Sequence, residues 1–231
     1  GNITFHNILK KSKSKFYMYK KIVDLLIKLQ KIKPRIIKNF FGKLYRLESY
    51  TIKQLHKESD LFFDWYLPLI MKKKRAFKIK YILRKKLQTL YKKLKFKNNI
   101  FVHRDFHSSN LMNIRNQIGI IDSQDAIVGN PTYDLASLID DVRIKTSNKL
   151  KNDIFNYYLK KSSQIYRRKK SDFINDFNIL SIQRSLKIIG IFSRLFKRDK
   201  KNQYLKFIPY TWKLLKMRMD SEIFLELKEI I

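Results

Sequence analysis

Apolar residues recur along most of the chain at intervals of three and four, the spacing of helices that each bury one face. Over Ser14–Lys31, Tyr17, Lys21, Leu25 and Leu29 share a face with Ile22 and Leu26, and Pro34 ends the helix. Thr4 is placed to cap a short helix from Phe5 to Lys10. Residues 35–50 have no clean period. Thr51 begins a long helix to about Met71, carrying Leu55, Leu61, Phe62, Trp65 and Leu69, with Pro68 inside it as a kink or an early stop. A second helix from about Arg75 to Leu94 turns Phe77, Tyr81, Leu87, Leu90 and Tyr91 inward and leaves a solvent face of nearly all Lys.

The pattern changes after residue 99. Ile100, Phe101 and Val102 are a short β-prone run, followed by His103, Arg104 and Asp105. Leu111–Arg115 and Ile118–Ile121 are two more such runs around Asn116-Gln117. With those two as the loop, Arg115 opposes Ile118 and Leu111 opposes Asp122, so that Asn110 sits beside Asp122. Val128–Pro131 reads as a turn, and Thr132 as the cap of a helix over Tyr133–Ile144 with Asp134 in its first turn. Helices follow over Asn148–Ser162 (Tyr157 and Tyr158 inward), from Ser171 toward Phe196 after a basic linker, Arg167–Lys170, and over Tyr204–Met217 with a break near Pro209. Asp220 caps the last amphipathic turns. The pattern predicts an α+β fold, predominantly helical, with a small β-hairpin.

Composition adds three constraints. The 231 residues suffice for one large domain or two small ones, and 44% are hydrophobic, enough for a substantial core. There is no Cys, hence no disulfide and no thiolate metal site, which fits a reducing compartment. No signal peptide and no apolar run long enough for a bilayer are evident, so the expected location is cytoplasmic, with no membrane partner. The formal charge is +33, from 52 basic and 19 acidic residues. Such an excess suits a basic helical protein that binds nucleic acid. Lys scattered over nearly every segment instead fits a compositional drift toward Lys, Ile, Asn and Phe, which implies no specific nucleic-acid partner.

Asn110, Asp122 and Asp105 would bring hard oxygen donors around one cavity, which suits Mg2+ shared with substrate phosphates. Asp105 could orient or deprotonate a hydroxyl. The spacing H-R-D-x-x-x-x-N, followed by an Asp after a hairpin, is the known signature of kinase catalytic loops, matched here rather than derived. Asp122-Ser123-Gln124 replaces the protein-kinase Asp-Phe-Gly, and His107 lies within the loop. With HRDFHSSNLM, IIDSQDA, the run Gly129–Leu138, and Gln183-Arg184 followed by IIGIFSRL (188–195), the chain resembles the aminoglycoside phosphotransferase/choline kinase superfamily. Within it, the bacterial N-acetylmuramate/N-acetylglucosamine anomeric kinases are the most similar.

That resemblance implies an ATP- and Mg2+-dependent phosphotransferase acting on the anomeric hydroxyl of a small amino sugar in peptidoglycan recycling. It makes Asp105 the catalytic residue, Asn110 and Asp122 the metal ligands, and His103 and Asp134 supports of the loop. It places Gln124 and Asp125 near the acceptor, and Glu58 and Trp65 in a sugar-pocket wall, ESDLFFDWYL. Taken alone, a helical Trp such as Trp65 is more often core. Arg184 or Arg194 could favour an acceptor that carries a carboxylate. The resemblance casts residues 1–231 as a kinase-like C-terminal lobe: 1–100 helical and acceptor-side, 101–145 catalytic, 146–231 helical support. With Gly only at 1, 42, 119, 129 and 190, no glycine-rich phosphate loop can be written, and the N-terminal ATP lobe is expected upstream of Gly1. This chain alone is then expected to be inactive; a decayed, non-catalytic kinase remnant is the remaining alternative.

Overall fold

A computed structural model describes residues 3–32, 37–38, 40–115 and 117–229. Its contacts divide the chain into two units that interleave in sequence, 1–50 with 96–177 and 51–95 with 178–231. Helices predominate, joined by small antiparallel sheets.

In the first unit, β1 (Ile3–Thr4) leads into α1 (Phe5–Lys11), whose first turn is capped by the Thr4 hydroxyl accepting from the Asn7 amide at 3.3 Å. α2 (Lys15–Lys31) follows, then β2 (Ile37–Lys38) and β3 (Leu44–Tyr45), which pair antiparallel. Next come β4 (Ile100–Val102), β5 (Leu111–Ile114), β6 (Gln117–Ile120) and β7 (Ile127–Gly129). α6 (Tyr133–Ile139), α7 (Asn148–Lys161), α8 (Gln164–Arg168) and the start of α9 (Lys170–Lys197) complete it. Leu9, Ile22, Leu26, Phe106, Leu135, Tyr158 and Phe173 are among its fully buried side chains. Each contributes about 1.5–3 kcal/mol by leaving water.

Several expectations are corrected here. The buried stripe of α2 is Tyr19, Ile22, Val23, Leu26 and Ile27, which puts Tyr17 outside at 51% exposure, under the Lys20 and Lys21 ammonium groups. In the β5–β6 hairpin, Leu111 pairs with Ile120 and Ile114 with Gln117, so Leu111 does not oppose Asp122. The loop is 115–116, two residues from the expected register: Arg115 takes the left-handed backbone (φ 46°) such a turn needs. The even shift preserves which face each side chain occupies. Asn116 and Pro34 lie outside the described residues. Residues 127–129 form a strand rather than a turn, because β4 pairs with them on one edge and the Glu48–Tyr50 backbone bonds to Val128 on the other. α6 stops at Ile139, five residues early, where the Lys151 ammonium binds both the Ile139 carbonyl (2.6 Å) and the Asp140 carboxylate (3.1 Å).

The second unit contains α3 (Ile52–Leu61), a π-helical turn over Phe62–Tyr66, α4 (Leu67–Ile70) and α5 (Lys73–Lys92). The later part of α9, a 3-10 stretch over Asn202–Phe207, α10 (Ile208–Arg218), a 3-10 turn over Glu222–Phe224 and α11 (Leu225–Lys228) also belong to it. Thr51 and Gln54 form a reciprocal capping box on α3. The expected helix from Thr51 to Met71 is therefore one path in three pieces. Pro68 cannot donate to the carbonyl four residues back, and the wider turn before it absorbs that mismatch. Gly190 packs its backbone there: a Cβ on it would lie 2.3 Å from the Leu61 carbonyl carbon. Ser221, not Asp220, precedes the last turns, and Asp220 pairs with Lys228 instead.

α5 also departs from expectation. Its buried face is Ala76, Leu83, Leu87, Leu90 and Tyr91, while Phe77 and Tyr81 are 74% and 58% exposed. Each stands two residues from a half-buried or buried position, Ile79 or Leu83, about 200° around the helix.

Candidate active site

The segment from His103 to Asn110 follows β4 and ends in a 3-10 turn, Ser108–Asn110. Its start is gripped by the buried Asp134 of α6, whose two carboxylate oxygens accept the His103 amide (2.7 Å) and the Arg104 amide (3.1 Å). Arg104 is left-handed (φ 72°), a conformation that costs a non-glycine residue about 1–2 kcal/mol. A charge-assisted bond to its amide offsets that cost. The far end is gripped by Asp141, which accepts both the Ser108 amide (3.2 Å) and the Ser108 hydroxyl (2.6 Å). Burial raises the Asp141 carboxyl, but His107 and Arg143 outweigh it, with the bonds from Ser108 and the Arg143 amide, and hold it below the usual carboxylate range. The two acids are seven residues apart, Asp134 in the first turn of α6 and Asp141 just beyond its end.

The loop is also tied to the strand segment that carries Asp122. The His103 ring donates from Nε2 to the Ile121 carbonyl (3.0 Å), which fixes the tautomer because a carbonyl only accepts. Burial lowers the His103 pKa, against the opposing pull of that bond and of the Asp105 and Asp122 carboxylates, so the ring is neutral at pH 7. The Arg104 guanidinium donates to the Asp125 carbonyl (3.1 Å) and lies over the Tyr50 ring. The Asn110 carbonyl accepts the Ile121 amide at 3.1 Å, one step beyond the β5–β6 pairs. Asp122 lies between these ties, exposed and left-handed (φ 61°), a conformation Asp tolerates better than most residues.

Asp105 is half-buried. The Asn110 amide nitrogen donates to the Asp105 carbonyl at 3.1 Å, which leaves its oxygen as the atom for a cation. Asn110 and Asp122 together offer an amide and a carboxylate oxygen, hard donors that fit Mg2+, which keeps several waters and shares phosphate oxygens. Among the described residues, no group of three or more His, Cys, Asp or Glu could hold a metal by itself. Gln124 and Asp125 are exposed on the segment after Asp122.

The remaining candidates lie in the second unit. Glu58 is 6% exposed; one oxygen accepts Gln183 Nε2 (2.9 Å) and the other meets the Lys187 ammonium (3.1 Å). Trp65 is half-buried on the π-helical turn. Arg184 is buried and Arg194 half-buried, both on α9. Sequence reasoning missed Asp141 and Ser108. No local signal marks them, because Asp141 lies past the end of α6 and 33 residues from Ser108.

Comparison with solved structures supports a kinase-like fold. A choline/ethanolamine kinase family protein from Mesorhizobium loti superposes with a TM-score of 0.59 at 12% identity, over 98% of this chain and 68% of that one. An ethanolamine kinase from Plasmodium vivax gives 0.60 at 15% identity, over 100% of this chain and 64% of that one. Residues 15–170 match the sequence profile of the phosphotransferase enzyme family, and the chain belongs to that family. The N-acetylmuramate/N-acetylglucosamine kinase of Neisseria meningitidis is 32% identical over 166 residues, 71% of this chain and 50% of the relative. The protein of the same name from Pseudomonas aeruginosa is 28% identical over 201 residues, 86% of this chain and 57% of the relative. The chain thus spans about half the length of the curated relatives it matches. Among the described residues, no helix is long and apolar enough to cross a membrane.

Proposed function

We propose that the full-length protein transfers the γ-phosphoryl group of ATP to the anomeric hydroxyl of N-acetylmuramate or N-acetylglucosamine, as a cytoplasmic step of cell-wall sugar recycling. The observation that carries the chemistry is the double anchoring of residues 103–110, with the Asn110 nitrogen engaged and its oxygen left for a cation. Phosphoryl transfer passes through a loose transition state and depends mainly on positioning and charge. Asp105 orients the acceptor hydroxyl and takes its proton as the new P–O bond forms and ADP leaves. Asn110 and Asp122 would hold Mg2+, which supplies neutralisation of phosphate charge when bound. Asp134, Asp141 and His103 keep the loop in place.

The amino-sugar acceptor is suggested by the relatives' names and by the IIDSQDA and QRSLKIIGIFSRL segments. Trp65, Gln124, Asp125, Arg184 and Arg194 are the acceptor-side candidates; Glu58, with both oxygens engaged by Gln183 and Lys187, supports the second unit instead. The phosphate-covering loop and ATP lysine of this reading lie outside the 231 residues. Product analysis on the full-length protein tests it. The expected product is a sugar phosphate that loses phosphate in mild acid, as an anomeric phosphate does. An acid-stable phosphate, or preference for choline or an aminoglycoside, would overturn the acceptor and leave phosphotransfer standing.

A further inference from the structure

We infer that the outward face of α5 binds single-stranded nucleic acid without sequence preference, independently of the phosphotransfer reading. Residues 73–95 contain eleven basic residues and no acidic one. Some of these cations are neutralised within the unit: Lys80 by Asp64, Arg84 by Asp60 and Lys86 by Glu226. Lys74, Phe77, Lys78, Tyr81 and Lys85 instead recur at intervals of three and four on the side away from the buried Leu83 and Leu87. Phe77 is 74% exposed and Tyr81 58%. Lys85 holds its ammonium 4.4 Å from the Tyr81 ring centroid.

A drift in composition toward Lys explains the number of cations. It does not explain two large rings held in water one helical turn apart between them. Rings four residues apart on one helix face, with Cβ atoms about 6 Å apart, set among lysines of the same face, match a ligand with flat apolar faces at short intervals on a phosphate backbone. An anionic membrane fits less well. An interfacial helix sinks a continuous apolar stripe into the acyl boundary, whereas this face alternates rings with lysines and carries no aliphatic residue.

The test uses the chain as it stands and a fluorescent oligouridylate, with binding read by anisotropy across salt concentrations. The double variant Phe77→Ala/Tyr81→Ala leaves the charge untouched and removes only exposed rings. It should weaken binding about tenfold or more, the scale of losing base–ring stacking. The triple variant Lys74→Glu/Lys78→Glu/Lys85→Glu should weaken it further and flatten the salt dependence. Reversing Lys149, Lys160 and Lys161, exposed on α7, is the charge-matched control and should have a small effect. Absence of binding by the unaltered chain at low salt would overturn the inference. So would an equal loss in the α7 control with no loss in the ring variant, which would assign binding to net charge alone. Ring-dependent sedimentation with phosphatidylglycerol vesicles, with oligouridylate binding unchanged, would also overturn it and assign the face to a membrane.

Discussion

In the first unit, the carboxylates of Asp134 and Asp141 hold a loop by its amides and by the Ser108 hydroxyl. In the second, the carboxylate of Glu58 is itself held, by Gln183 and Lys187. Both clusters satisfy the rule that buried charge needs partners. They differ in what remains for a ligand. Around the loop, the supporting acids are buried, while Asp122 stays exposed and the Asn110 amide is oriented through its nitrogen alone. Around Glu58, both oxygens are engaged inside the unit. A carboxylate in a motif is therefore a candidate ligand only to the extent that its own fold leaves an oxygen over.

The largest effect is expected at the loop. Asp105→Asn in the full-length protein should lower turnover by about a hundredfold or more, the scale of a positioned acid–base group. Thermal stability should hardly change, because the tie to Asn110 uses the Asp105 backbone carbonyl and survives the substitution. Near-normal turnover would remove Asp105 from the chemistry. A large loss of stability would move it to the Glu58 kind of residue.

Glu58→Ala should do the converse. It removes the carboxylate from a buried ion pair, because Lys187 and Glu58 side chains are only 10% and 7% exposed. Breaking one side of such a pair costs about 3 kcal/mol. Denaturant unfolding should show that loss, with little change in acceptor KM for the folded fraction. A raised KM at unchanged stability would break the comparison and return Glu58 to the acceptor.

These contrasts also show what a sequence can disclose. The order strand, loop, hairpin, helix around HRDFHSSN was legible because short β-prone runs flank a polar loop of fixed length. The hairpin register was not, since it depended on Arg115, an ordinary residue, taking a left-handed turn position. Strand β7 was hidden by the turn-like string that follows it: Ile127–Gly129 pair on both edges, and the turn comes only at Asn130-Pro131. The inward face of α5 was misread because Phe77 and Tyr81 are apolar enough to suggest burial; only the neighbours of Leu83 and Leu87 decide which face goes in. Asp141 was invisible for another reason. Its role is to hold Ser108, and a bond between residues 33 apart leaves no local pattern.

The smallest effect is a pH dependence that sharpens the loop side of the comparison. Burial sets the folded His103 pKa below the 6.5 of an ordinary histidine, while the bond to Ile121 and the nearby Asp105 and Asp122 pull it upward without prevailing. Above pH 6.5 the ring is neutral in both folded and unfolded chains, so it contributes no slope. As pH falls below 6.5, the unfolded chain takes up the proton first, and stability declines until the folded pKa is passed. His6 shifts in the same direction, through burial and then Lys10, so it must be separated. Urea unfolding between about pH 7.5 and pH 5 should therefore show a falling stability that His103→Gln flattens more than His6→Gln does. The glutamine amide can still donate to the Ile121 carbonyl but cannot titrate. Parallel profiles for the unaltered chain and His103→Gln would mean that the ring carries no such proton linkage, leaving His103 as a tie between the loop and the Asp122 segment with no role in its pH response.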